Sequence, residues 1–225
     1  MTRFAIVCTV LCVVFSALFH ALSEEERYRP AFWLKGLAGL CFVAVGLSLT
    51  LERLDTAFSR LIFFGLVMGL IGDELLAMRR VHPERREIFF ACGTAAFALG
   101  HVFYLRAMWS VDSGAWLFAV PIFALLFVAA GAYILRQKLD AGRLFVPGIV
   151  YIALVASVAA MGVALLLRGQ GRRGLLLALG GVSFLVSDSV LCVSTFCEDK
   201  PRHARRIIHA SYFAAQLLIA WSIAA

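Results

Sequence analysis

Residues 61–78 read LIFFGLVMGLIGDELLAM, an apolar run interrupted by acidic side chains at Asp73 and Glu74 alone. An α-helix needs about 20 such residues to cross the hydrocarbon of a bilayer. A carboxylate inside a spanning helix costs roughly 2.5–3.5 kcal/mol on insertion scales, so its presence calls for a function or a partner. Residues 175–193, LLLALGGVSFLVSDSVLCV, repeat the pattern around Asp188. Both aspartates follow a small residue (Gly72, Ser187), and both have a glycine eight positions upstream, Gly65 and Gly180. These two segments set the reading of the whole chain.

Working outward, apolar runs of spanning length recur at about 4–22, 31–50, 58–78, 88–107, 114–134, 144–167, 174–195 and 205–224. The 225 residues are 62% hydrophobic and 16% charged, and the charges collect in short loops. Nothing remains for a soluble domain. The expected fold is therefore all-α: residues 1–225 form one polytopic bundle of eight transmembrane helices. A membrane β-barrel is disfavoured because the runs lack period-two alternation. The first run, with Arg3 ahead of an apolar stretch ending at Ser23, has the outline of a signal peptide. It is longer than a usual signal core and is followed by no convincing small-x-small cleavage site, so a retained helix is expected.

The net charge of +7 has a topological explanation. Of the 21 Lys and Arg, 14 fall at the first, third, fifth and seventh loops (counting Lys35). Those loops are expected on the cytoplasmic side, with both termini outside. Arg79, Arg80, Arg85, Arg86, Arg202, Arg205 and Arg206 read first as this topology signal, with attraction of anionic headgroups as a second reading. No role in nucleic-acid binding follows. The six cysteines lie in or at the ends of apolar runs without CxxC spacing, so neither a disulfide framework nor a metal site is expected.

Aligning Asp73 on Asp188 at an offset of 115 also matches Gly65 with Gly180, Leu70 with Leu185 and Leu76 with Leu191. The next helices each carry His-x-x-Tyr, His101–Tyr104 and His209–Tyr212, but at an offset of 108, a slip of about two turns. A four-plus-four parallel repeat about the membrane normal is suggested. At 1.5 Å per residue, Asp73 lies roughly 8 Å and Asp188 roughly 10 Å inside the cytoplasmic helix ends. Lys35, Tyr151, His209 and Tyr212 fall in the same half, and His101 lies deeper. A cavity opening toward the inner leaflet accounts for that layer. Gly65, Gly69 and Asp73 share one close-packing face of their helix, as do Gly180 with Ser187 and Gly181 with Asp188, so both aspartates should point into the bundle.

Three readings of the acidic pair stay open on the residues alone. The aspartates lock helices together, for example through an Asp73–Lys35 ion pair. They form a proton relay in a coupled transporter. Or they are acid–base groups of an enzyme. His101, Tyr104, Tyr151, Tyr212 and Gln216 are either interhelical hydrogen-bonding groups or cavity-lining ones.

Together, WLKGL around Lys35, GLIGDELL around Asp73, LGHVFY around His101, VPGIVYIALV around Tyr151, GGVSFLVSDSVL around Asp188 and SYFAAQLL around Tyr212 and Gln216 resemble the YhhN-like family of lysoplasmalogenases. The likeness spans nearly the whole chain. Gly36 departs from it, standing where the family often has proline. The resemblance implies an integral membrane hydrolase that cleaves the vinyl ether of a lysoplasmalogen to a fatty aldehyde and glycerophosphoethanolamine or glycerophosphocholine. Such a bond must be protonated on carbon before water attacks, which calls for a proton donor, a negative charge and a base. Asp73 and Asp188 are the expected catalytic pair. Lys35 is expected to hold the phosphate, and His101, Tyr104 and Tyr151 to position headgroup or water, with Ser187, Tyr212 and Gln216 also contacting substrate. No cofactor or metal is called for. Short loops point to a bacterial inner membrane.

Overall fold

The computed structural model describes residues 2–24, 28–53, 56–137, 142–197 and 202–225, without the side chains of residues 23, 24, 28–30 and 80. Arg80 thus lies outside the described side chains. Eight helices follow one another: α1 (Thr2–Glu24), α2 (Tyr28–Glu52), α3 (Ala57–Val81), α4 (Arg86–Val111), α5 (Trp116–Leu135), α6 (Phe145–Leu167), α7 (Gly171–Phe196) and α8 (Ala204–Trp221). No strand occurs among the described residues.

Local chemistry sets the helix ends. Thr56 caps α3, its hydroxyl accepting the Ser59 N–H at 3.3 Å. Pro83 follows the last turn of α3 and starts a short 3₁₀ turn into α4. Asp112 accepts the Gly114 N–H at 2.9 Å in the α4–α5 connection. The α6–α7 turn is only three residues long; Gly169 within it, at φ +79°, and Gly171 at the start of α7, at φ +52°, take conformations that exact a steric cost from any residue with a Cβ.

Among the described residues seven helices are long and apolar enough to cross a membrane, and the chain is a multi-pass integral membrane protein. The exception is α8, the eighth expected span, which is 18 residues long and starts with Arg205 and Arg206. Its neighbours explain the lower hydropathy. It is packed against α1, α2, α3 and α7, so protein rather than lipid covers its polar groups. At the other extreme is α5, with Leu117, Val120, Leu125 and Val128 more than half exposed along an outer face that suits lipid.

The contacts follow the 115-residue repeat. Within each half the helices pack in sequence, and between halves α2 meets α8 as α6 meets α4. A Cβ on Gly65 would meet the Tyr104 ring, and one on Gly180 would meet Ile219, the residue 115 positions beyond Tyr104. Gly72 abuts the Gly93 carbonyl, while Ser187 donates to the Ile208 carbonyl at 3.1 Å, the same pair one repeat later. The two-turn slip expected between α4 and α8 is therefore not present. His101 corresponds to Gln216 and Phe97 to Tyr212, and the shared His-x-x-Tyr spelling does not mark equivalent positions. Phe97 and Tyr212 meet across the centre, with ring centroids 5.8 Å apart.

Candidate active site

Lys35 on α2 and Asp73 on α3 form a buried ion pair, each 6% exposed. The ammonium lies 2.7 Å from Asp73 Oδ1 and donates to the Asp73 backbone carbonyl at 3.0 Å. A carbonyl within a helix already accepts one hydrogen bond, and its second lone pair takes the lysine. The other carboxylate oxygen, Oδ2, is buried with no hydrogen-bond partner among the described residues. One repeat later, Asp188 on α7 meets Tyr151 on α6, whose hydroxyl donates to Asp188 Oδ2 at 2.5 Å. Tyr151 lies 116 positions after Lys35, so each aspartate has its partner at nearly the same place on the preceding helix.

Both aspartates line one cavity of about 780 Å³, within the size range of small-molecule sites. Lys35, Ser187 and Tyr212 line it as well. Leu76, Phe97 and Leu191 add apolar surface to its lining. Its mouth lies at the end of the bundle where α3 stops and α8 starts, and carries His20, Arg79, Arg86, His203, Arg205, Arg206 and His209. Arg206 Nε donates to His20 Nε2 at 2.9 Å, and His209 packs edge-on against Phe19, tying α1 to α8 beside the opening.

The other expected site residues do not reach the cavity wall. Tyr104 donates to Gln216 Oε1 at 2.6 Å, the Gln216 amide donates to Tyr212 Oη at 3.2 Å, and Tyr212 donates to the Gly69 carbonyl at 3.0 Å. This chain fixes the rotamer of Tyr212, its one member on the cavity surface. His101, 1% exposed, engages the Phe97 carbonyl through Nδ1 at 2.7 Å and packs against Phe184 at 4.5 Å between centroids. Its Nε2 has no hydrogen-bond partner among the described residues. Tyr151 stands behind Asp188, 5.9 Å from the His101 ring. Glu74 lies against Gly36 of α2, where a proline would sit beside its carboxylate. Among the described residues no cluster of His, Cys, Asp and Glu is arranged to hold a metal ion.

In the sequence the arginines of the mouth read first as a topology signal and second as an attraction for anionic headgroups, and what it does not disclose is their convergence with His20 and His203 at one opening. Arginine beside a spanning helix already has a topological explanation, and the available signal was that several such loops converge at one end.

Two comparisons bear on this arrangement. The profile of the YhhN family matches residues 30–223, from the start of α2 through the end of α8. The chain is 31% identical to human lysoplasmalogenase TMEM86B over 216 residues, covering 94% of this chain and 82% of that protein. It is 31% identical to bovine lysoplasmalogenase TMEM86A over 166 residues, 72% of this chain and 64% of the relative. Pig lysoplasmalogenase TMEM86B is 29% identical over 187 residues, 81% of this chain and 73% of its own length. No solved structure matches. With the match running through the helices that carry both aspartates, the chain belongs to the YhhN family.

Proposed function

We propose that this protein is a lysoplasmalogenase: it hydrolyses the vinyl ether of a lysoplasmalogen inside the bilayer, with Asp73 and Asp188 as its catalytic carboxylates. The observation that carries the reading is that both side chains line one cavity that combines apolar lining with a basic mouth. The named activity of the relatives supports the same chemistry. The fatty chain lies against the apolar lining that Leu76, Phe97 and Leu191 provide. The phosphodiester stays at the mouth, where Arg79, Arg86, Arg205 and Arg206 supply charge. Lys35 faces Asp73 and belongs to the carboxylate rather than to the phosphate. The mouth opens to the cytoplasmic side of a bacterial inner membrane, following the excess of Lys and Arg in the odd-numbered loops.

The carbon–carbon double bond takes a proton on the carbon remote from oxygen, leaving an oxocarbenium ion. Water adds to the carbon next to oxygen and gives up a proton. The hemiacetal then breaks its bond to the glycerol oxygen, which leaves protonated, and the remaining fragment is the aldehyde. Two carboxyl groups supply the donor, the counter-charge and the base. Serving as an interhelical tie does not exclude this role, since Asp73 keeps one oxygen free of protein partners. A coupled transporter with a broken midsection is disfavoured, because α2, α3 and α7 run unbroken past the cavity.

The test is aldehyde release from lysoplasmalogen by the purified protein and its Asp73→Asn and Asp188→Asn variants. Turnover by the parent in detergent, with a loss of at least 100-fold in each folded variant, is the expected result. Near-parental turnover in either variant refutes the paired-carboxylate mechanism, and uptake into proteoliposomes without cleavage refutes the enzyme.

A further inference from the structure

The two halves of the site differ at the position that contacts each carboxylate, Lys35 in the first and Tyr151 in the second. The geometry points to Asp188 as the group that protonates the vinyl ether and to Asp73 as the fixed anion. Lys35 and Tyr151 are then positioning residues that make two repeat-related carboxyls chemically unequal. This assignment rests on the ether-hydrolase reading and adds the division of labour between the two aspartates.

Charge balance distinguishes the two carboxyls. Lys35 and Asp73 are buried in direct contact, so each neutralises the other, and loss of either charge would strand its partner in the bundle. No cation among the described residues forms an ion pair with Asp188. The titratable groups facing Asp188 are Asp73 from α3, Tyr151 from α6, Tyr212 from α8 and Cys192 on its own helix. Those facing Asp73 are Lys35, Glu74, Tyr212 and Asp188. A carboxylate with no cation in such surroundings is far costlier than the neutral acid. Asp188 therefore holds its proton in the resting protein.

Geometry also says which oxygen holds it. Tyr151 donates to Oδ2, so Oδ2 is the accepting oxygen and the acid proton sits on Oδ1, which has no protein partner among the described residues. In the reaction the π pair of the vinyl group forms the new C–H bond with the Oδ1 proton, and the O–H electron pair stays on Asp188. Tyr151 and its hydrogen bond stabilise the carboxylate thus formed. Asp73 Oδ2, unpartnered, stabilises the oxocarbenium ion and accepts a hydrogen bond from the attacking water. The proton released by that water returns to Asp188, which passes it to the departing glycerol oxygen. The hemiacetal hydroxyl proton then restores Asp188. One water is consumed, and no net proton is gained or lost.

The resting proton can be read without substrate, which separates this inference from the lysoplasmalogenase reading. Infrared spectra of the purified protein in nanodiscs at neutral pH should show the C=O band of a carboxylic acid. The band should vanish in Asp188→Asn and persist in Glu74→Gln and in the Lys35→Met/Asp73→Asn double variant. In Tyr151→Phe it should remain but shift, because one hydrogen bond to that carboxyl is gone, and turnover should fall mainly in kcat. Loss of the band in the double variant with retention in Asp188→Asn overturns the assignment. Should Asp188→Asn fail to fold, an unshifted band in Tyr151→Phe overturns it equally.

Discussion

Replacing Lys35 with Met tests the ion pair through stability alone. Both partners are 6% exposed, and the ammonium makes two contacts, 2.7 Å to Asp73 Oδ1 and 3.0 Å to the Asp73 carbonyl. Met keeps most of the lysine stem and its packing but removes the charge. Asp73 Oδ2 already has no partner, so the variant leaves a buried carboxylate with no protein hydrogen bond at either oxygen among the described residues. Breaking a buried pair in this way costs about 3–5 kcal/mol. Adding Asp73→Asn removes the second charge at constant size, and the double variant should return to within about 1–2 kcal/mol of the parent. The assay is reversible unfolding of the parent, both single variants and the double variant in mixed micelles. A cost below about 1 kcal/mol for Lys35→Met, or a double variant no more stable than either single one, refutes the reasoning.

Other perturbations reach other parts of the structure. A Cβ at Gly181 would fall 2.7 Å from Ala159 Cα and one at Gly65 would overlap Tyr104 Cε1. Either Gly→Ala change should lower stability by about 1–3 kcal/mol in the same unfolding assay. Gly131 on α5 has open space where its Cβ would lie, and Gly131→Ala should be neutral or stabilising by up to about 1 kcal/mol. Asp112, in the α4–α5 connection, is held below the usual carboxylate range first by the hydrogen bond from Arg168, then by the Gly114 N–H. Its contribution to stability is full above the unfolded-state value of about 3.9 and is lost as pH falls through the lower folded value, so Asp112→Asn should flatten acid unfolding below about pH 4. Paired Arg205→Gln and Arg206→Gln changes should raise KM for lysoplasmalogen roughly tenfold with little change in kcat, as expected when a charge-assisted contact to phosphate is lost. An unchanged KM would move the phosphate elsewhere.

Most of the helical layout was legible in the sequence, because spanning length and loop charge are strong signals. Helix limits differ from expectation by up to four residues, at the end of α4 (Val111 rather than 107), and by three at the end of α8 (Trp221 rather than 224). That helix, read as an eighth span, is the most polar of the set because protein surrounds it. The repeat was visible around the aspartates but lost between α4 and α8. There the true equivalents are unlike (Phe97 with Tyr212, His101 with Gln216), while an accidental His-x-x-Tyr match drew the alignment seven residues away. Depth placed Lys35, Asp73, Tyr151 and Asp188 at one level. It could not say that Lys35 turns to the carboxylate instead of the lipid headgroup, since that depends on the rotation of α2 against α3. Nor could it place Tyr104, Tyr151, His101 and Gln216 behind the wall of the cavity, because a buried polar group reads the same in sequence whether it meets ligand or protein.

The most direct measurement is an experimental structure of the protein with a saturated-ether analogue of lysoplasmalogen bound. The account predicts the chain along Leu76, Phe97 and Leu191, the phosphate among the mouth arginines, and the two carbons that replace the vinyl group in contact with both Asp73 and Asp188. An ether lying outside this cavity, or touching neither carboxylate, contradicts it.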